Sequence, residues 1–364
     1  GFTPQASIDW DQLAESTETL VRFLDNVVTW NEDLNALEKQ RQAASETRRL
    51  GLGVMGIADM LNQLGVAYDS EQGTIMIEKV MEYITNAAYQ ASSFIAKEKA
   101  PSPIFDEKSY MECPFVKEAL SEQTHNMIRK NGLRNIAIMS IAPTGSISNI
   151  VLGYKGESKN YIGVSGGVEP IFSVFYTRRS ESFGNKFFKV FHSTVQAYID
   201  KMGIQEEIDK VDDVDKALPD YLTRTAHKID SVKRVSVQGV IQRYIDHSIS
   251  STINLPEDVN PETISDIYIK AWKNKLKGVT IYRDGSRFPI LSVENKMTEY
   301  QKLKEKTFSV IQENCETIEM NGDDIFKLPD GRLTTMYHYL KGNNPEIEGE
   351  ETSKELTVTE EVKA

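Results

Sequence analysis

The stretch RNIAIMSIAPTGSISN (134–149) decides how this chain is read. Its first half, RNIAIMSIAP (134–143), is a short apolar run stopped by Pro143, the pattern of a buried β-strand. Thr144, Gly145, Ser146 and Ser148 then follow in a compact turn. Gly145 permits consecutive backbone N–H groups to converge and the hydroxyls add donors, so the turn suits an anion such as a phosphate. A helix opening from the turn would add the field of its free N–H groups. The same residue types also make a plain strand-to-helix cap, and the stretch is not a P-loop, because G-x-x-x-x-G-K-[ST] is absent. On the anion reading, Gly145 is the position least tolerant of a side chain. The backbone approaches the ligand there, and a β-branched residue would be held in an unfavourable conformation.

Working outward, the downstream half alternates short buried runs with helices. GVEPIFSVFYTRR (167–179) is β-branched and aromatic, VSVQGVIQRYIDHSIS (235–250) reads as helix, and STINLP (251–256) as extended chain. A helix over 264–275 then leads to KGVTIYRDGSR (277–287), a strand emptying into a glycine turn. This alternation predicts α/β architecture, whose chemistry usually sits at strand C-termini. Upstream, residues 1–132 read as mostly helical. Asp9 caps a first helix, a second runs from about Glu46 to Leu64, and a third from about Gln72 to Glu98 is closed by Pro101 and Pro103. The predicted division is therefore 1–132, 133–290 and a polar extension at 291–364. Within the last, 308–340 reads as a small β unit with turns at Gly322 and 329–331. From Lys341 seven glutamates face three lysines, so the end is expected to be disordered.

Two further segments carry candidate residues. In NYIGVSGGVEPIF (160–172), Gly163, Gly166 and Gly167 give a pliant backbone and Glu169 precedes Pro170. The loop either contacts a ligand, or makes a tight turn in which Glu169 caps free N–H groups. Tyr282 at the end of the 277–287 strand suits either ligand contact or a core aromatic with its hydroxyl at the rim, and Arg283 and Asp284 suit a surface pair. The five histidines have no metal-ligand spacing, so no metal site is expected. Cys113 and Cys315 are far apart, which excludes a disulfide scaffold and a cysteine zinc site, and Cys113 in MECPF reads as an incidental thiol.

Bulk properties set the remaining bounds. In 364 residues, 40% are hydrophobic and 26% charged, as in ordinary globular proteins. The net charge of -12 provides no basic field for a nucleic acid, although a local phosphate site needs none. No apolar run approaches the ~18 residues of a membrane span. The chain begins at Gly1 without a basic-then-apolar leader, so a cytoplasmic protein with a truncated or processed N-terminus is expected.

Five of these pieces, in order, resemble the catalytic chain of ribonucleotide reductases, and most closely the adenosylcobalamin-dependent class. They are RRLGLGVMGIADMLNQLGVAYDS (48–70), LRNIAIMSIAPTGSISNI (133–150), GVSGGVEPIFSVFYTRR (163–179), STINLP (251–256) and KGVTIYRDGSR (277–287). With the linking helices the resemblance covers about 8–290. It implies that 133–290 supply the second half of a ten-stranded α/β barrel, with 8–130 packed around it. It also implies that Pro143, Thr144, Gly145, Ser146 and Ile147 hold the substrate's phosphates, and that Gly166, Gly167, Glu169 and Tyr282 border the active site.

The departures from the family are absences. The family's radical cysteine lies in an Asn-x-Cys-x-Glu arrangement, and further cysteines deliver reducing equivalents; neither Cys113 nor Cys315 matches them. No catalytic residue is therefore assigned here. The resemblance implies an N-terminal part of the reductase carrying those groups, a ribonucleoside di- or triphosphate substrate and a thioredoxin-like reductant. Classes with a diiron partner have adjacent tyrosines in the strand matching 280–283. Here Ile281 precedes Tyr282, which points to adenosylcobalamin as the radical source. The alternative is a non-catalytic nucleotide-binding or regulatory homologue of the same fold. A nicotinamide enzyme has little support: the G-x-G-x-x-G at 51–56 lies in a segment that reads as helix, and none follows a predicted strand near an acidic residue.

Overall fold

A computed structural model describes residues 1–151, 153–155, 160–164, 166–180, 186–211, 213–286, 299–304, 306–311, 317–328 and 330–343. Cys315, Arg287 and the acidic end from 344 onward lie outside the described residues.

The N-terminal third is helical. Helices α1 (Trp10–Asn31), α2 (Glu38–Thr47), α3 (Ile57–Gln63) and α4 (Glu71–Lys99) are followed by the shorter α5 (Glu107–Met111), α6 (Pro114–Ala119) and α7 (Glu122–Asn131). Asp9 does cap α1, its carboxylate accepting from Gln12 N–H at 3.1 Å. Ser70 caps α4 in the same way through Gly73 N–H, and the apolar stripe of α4 (Ile77, Met81, Ile84, Ala88, Ile95) is buried. Arg48 ties α1 to the strand region, donating from Nε to the wholly buried Asp25 carboxylate at 2.9 Å. Burial pushes the Asp25 carboxyl up, but Arg48 and Asn135 outweigh it and hold the group below its ordinary value.

The segment 134–143, expected as a strand, is no regular strand but extended chain (the central strand below) that meets one segment on each side through a single parallel bridge. Leu52 bridges Met139 on one side and Ile249 bridges Ile141 on the other, both parallel. The ladder runs through Leu50 N–H to Ala137 O (2.9 Å), Ser140 N–H to Leu52 O (2.8 Å) and Ser250 N–H to Ile141 O (2.8 Å). Leu50, Leu52, Ile138, Met139, Ile141 and Ile249 are all buried.

Both flanking segments correct helical readings. The predicted helix over 46–64 is α3 preceded by extended chain, because Gly53 lies against the central strand: a Cβ there would sit 2.4 Å from Ser140 O. The predicted helix over 235–250 stops at Gln242. Its Nε2 donates to the Ile245 and His247 carbonyls, turning the chain back into a strand. The Asp246 carboxylate then accepts from the backbone N–H of Ile138 (2.7 Å) and Met139 (3.0 Å) and from the Tyr89 hydroxyl, joining α4 to the start of the central strand.

Beyond the centre, β1 (Tyr154–Lys155) pairs with β2 (Asn160–Tyr161), and β3 (Phe175–Ser180) with β4 (Lys186–Phe191), both antiparallel. Helices α8 (Ser193–Met202), α9 (Gln205–Lys210), α10 (Val214–Ala217), α11 (Asp220–Thr223) and α12 (Ser231–Gln242) lead to β5 (Thr252–Leu255), α13 (Pro261–Lys273) and β6 (Thr280–Arg283). The turn after β6 is at Gly285, φ 74°.

The chain divides into two compact units, 1–253 with 271–280, and 254–270 with 281–364. In the second, α14 (Glu299–Leu303) precedes two antiparallel hairpins, β7 (Thr307–Ile311) with β8 (Thr317–Asn321) and β9 (Ile325–Lys327) with β10 (Leu333–Thr335), then α15 (Met336–Asn343). Val310, Met320, Phe326, Met336 and Leu340 form the core of these hairpins and α15, in the stretch expected to be a small β unit.

Candidate functional site

The turn at 143–147 stands at the C-terminal end of the central parallel strand, which makes its last ladder contacts at Ile141. Thr144 adopts the left-handed conformation, φ 55°, uncommon for a β-branched residue. Its carbonyl accepts from Ser148 N–H at 2.9 Å, and Ser148 is fully buried beneath the turn. Pro143, Gly145, Ser146 and Ile147 are exposed, so the outer face of the turn is open. The helix it opens is one 3₁₀ turn, Ile147–Ile150, with no side-chain cap. That is too short for an appreciable helix dipole, so the turn gains no helix field.

A second layer backs the turn. The N–H groups of Gly56 and Ile57 donate to the carbonyls of Gly166 (2.8 Å) and Gly167 (3.1 Å), fixing the glycine loop to the start of α3. Gly167 lies so close to the turn that a Cβ on it would be 2.7 Å from Thr144 Oγ1. That hydroxyl oxygen is buried and has no hydrogen-bond partner among the described residues.

The strain expected at Gly145 belongs to its neighbours instead. A Cβ on Gly145 would meet nothing within 4 Å, and it is Thr144 that takes the positive φ and Gly167 that lacks space.

Glu169 is half-buried, and its carboxylate accepts from Thr252 N–H at the start of β5. The residue thus ties its loop to a strand, as in the capping alternative. Val168 O accepts from the Tyr68 hydroxyl at 2.7 Å, and burial pushes that hydroxyl above its ordinary value, keeping it a neutral donor. Tyr282 is half-buried on β6 and belongs to the second compact unit.

Several supporting residues escaped the sequence reading, among them Tyr68, Asp246 and Arg234. Arg234, Gln238 and Gln242 recur every fourth residue along α12 and are all buried. A polar stripe on the inner face of a helix was the available signal.

Cys113 is a free, exposed thiol preceding α6. Among the described residues no group of three His, Cys, Asp or Glu could hold a metal ion, and no helix is long and apolar enough to cross a membrane. Two cavities lie among the N-terminal helices. One of about 560 Å³ lies between α1 and α4, and another of about 400 Å³ is bordered by Tyr89, Tyr110, Cys113 and Lys277.

A family model described as the ribonucleotide reductase barrel domain matches residues 2–282. This chain belongs to the ribonucleotide reductase family. It is 31% identical over 292 residues to the vitamin B12-dependent ribonucleoside-diphosphate reductase of Mycobacterium tuberculosis, a match covering 77% of this chain and 37% of that protein. The protein of the same name from Thermoplasma acidophilum is also 31% identical, covering 77% and 34%. Ribonucleoside-diphosphate reductase subunit alpha of Chlamydia pneumoniae is 28% identical, covering 74% and 27%. Among solved structures, the Actinobacillus ureae class Id ribonucleotide reductase alpha subunit superposes with a TM-score of 0.55 at 22% identity, over 74% of this chain and 46% of that one. That likeness concerns the fold. The chain spans little more than a third of these two curated B12-dependent reductases.

Proposed function

We propose that this chain is the C-terminal part of a ribonucleotide reductase, converting ribonucleotides to 2′-deoxyribonucleotides by thiyl-radical chemistry. The parallel segments around 50–53, 137–141 and 247–250 would be strands of the second half of the family's ten-stranded barrel. Residues 143–147 would hold the substrate's phosphates, with Gly166, Gly167 and Glu169 at the border. The names of the relatives favour a ribonucleoside diphosphate as substrate. The observation that carries the assignment is the turn itself. An exposed backbone turn ends the central parallel strand, with a close-packed glycine loop behind it and the Thr144 hydroxyl buried without a partner among the described residues.

The remaining chemistry is assigned to other parts of the enzyme. The radical cysteine and the reducing cysteines would come from an N-terminal part, and a thioredoxin-like reductant would recharge them in the cytoplasm. Adenosylcobalamin would supply the radical in the complete enzyme, as the vitamin B12-dependent names of the relatives suggest.

The test is complementation. Mixing the chain with the N-terminal part, adenosylcobalamin and a dithiol should yield deoxynucleotide, and Thr144→Val should weaken nucleotide affinity by about 1–2 kcal/mol. Nucleotide binding without turnover would favour the non-catalytic homologue. Unchanged affinity in Thr144→Val would remove the phosphate assignment.

A further inference from the structure

Arg234 is 4% exposed, an unusual setting for a guanidinium. Nη2 donates to Ser251 Oγ, while Nη1 has no hydrogen-bond partner among the described residues. The guanidinium carbon lies 5.8 Å from the centroid of the Tyr68 ring. A buried charge with a spare donor is costly to keep, so its location calls for a reason.

Both contacts lead to the glycine loop. Tyr68 donates to Val168 O, which places the ring against the loop segment next to Gly167. Ser251 precedes Thr252, whose N–H donates to Glu169, so the strand end is tied to the same loop from the other side. Ser250 in turn donates to Ile141 O, the last ladder residue before the turn. Gly167 is the residue packed against Thr144. Arg234 therefore stands where two short chains of contacts to the 143–147 turn meet, one through Tyr68 and Val168, the other through Ser251, Thr252 and Glu169.

We infer that Arg234 is a positioning residue for the phosphate turn, clamping Ser251 and the Tyr68 ring so that the 166–169 loop holds Thr144 in its left-handed conformation. The inference rests on the assignment of 143–147 to the substrate phosphates. Lysine cannot replace arginine in this role. The planar fork reaches Ser251 with one nitrogen while its carbon lies over the Tyr68 ring, a spread of contacts that a compact ammonium on a flexible stem does not reproduce. The stranded positive charge also favours an anion nearby.

The experiment uses the complete reductase and compares Arg234→Lys, Tyr68→Phe, Ser251→Ala and Thr144→Val. Nucleotide KM, kcat and the thermal midpoint are read for each. Arg234→Lys is expected to raise KM roughly tenfold with kcat nearly unchanged, and Tyr68→Phe to raise it roughly threefold. The midpoints should stay near that of the unmodified protein. If Thr144→Val raises KM but Arg234→Lys and Tyr68→Phe do not, the positioning role is overturned and the phosphate assignment survives. A lowered midpoint with unchanged KM would overturn it equally, since that is the signature of a purely structural arginine. Should Arg234→Lys fail to fold, Tyr68→Phe and Ser251→Ala decide: raised KM in both supports the role, and unchanged KM in either overturns it. If Thr144→Val leaves KM unaltered, the underlying assignment falls as well.

Discussion

At the scale of single residues, two glycines separate crowding from ligand approach. Gly167→Ala drives a methyl to 2.7 Å from Thr144 Oγ1, with Pro143 O at 3.4 Å, so the turn has to shift. The expected cost is about 1–3 kcal/mol of stability, the usual range for overpacking, together with weaker nucleotide binding. Gly145→Ala meets nothing within 4 Å and should leave stability unchanged within about 0.5 kcal/mol. Its effect should appear only in nucleotide affinity. Chemical denaturation and nucleotide titration of both variants check the pair, and equal loss of stability in the two would contradict the packing seen around the turn.

At the scale of elements, two junctions rest on carboxylates with little exposure. Asp246 accepts from two consecutive backbone N–H groups of the central strand and from Tyr89 on α4. Asp246→Ala leaves those donors unpaired and should destabilise the protein by about 1.5–3 kcal/mol, read as a lower denaturant midpoint. A second junction joins α3 to α8. Asp59 accepts from Thr194 Oγ1 and lies 3.8 Å from His192 Nε2. Burial lowers the His192 imidazole below its ordinary value near 6.5, with Asp59 opposing the shift. The unfolded chain therefore binds the proton more readily, so this contribution is complete above about pH 6.5 and is lost as pH falls through the depressed folded value. Stability measured against pH should decline over that window, and His192→Asn, which can still cap α8, should flatten the decline. An identical pH profile in the variant would count against a buried neutral imidazole.

On the scale of the whole molecule, an apolar face on α1 and the two cysteines carry the predictions. Along α1, Leu20, Phe23, Val27 and Trp30 are exposed at helical spacing, Trp30 at 77%. The isolated chain should accordingly bind an apolar fluorescent dye, and adding the proposed N-terminal part should reduce that signal. No change on assembly would mean that this face stays open in the enzyme. Deoxynucleotide formation should be absent for the chain alone with adenosylcobalamin and a dithiol, because Cys113 and Cys315 are neither a pair nor in the family's radical motif. Turnover by the isolated chain would refute this. Restored activity should depend on cobalamin, and activity supported by a diiron partner without it would overturn the class assignment.

Local patterns were enough for much of this. Asp9 and the stripe on α4 specified helices because capping and a 3.6-residue period act within a few turns. The apolar run closed by Pro143 likewise marked the central strand and the turn beyond it, and five ordered segments disclosed the family. Helical spacing was right for only part of 46–64 and 235–250: it held for α3 and the end of α12 but ran on into extended chain at 50–53 and beyond Gln242. What decided there was distant chain: Ser140 O pressing on Gly53, and Asp246 taken up by the N–H groups of Ile138 and Met139. The positive φ passed to Thr144 and the crowding to Gly167 for the same reason. Steric limits at a turn are set by whatever packs behind it, and the glycine loop that does so lies more than twenty residues further along the chain. Arg234 shows the same dependence, since only folding brings it to Tyr68 and Ser251.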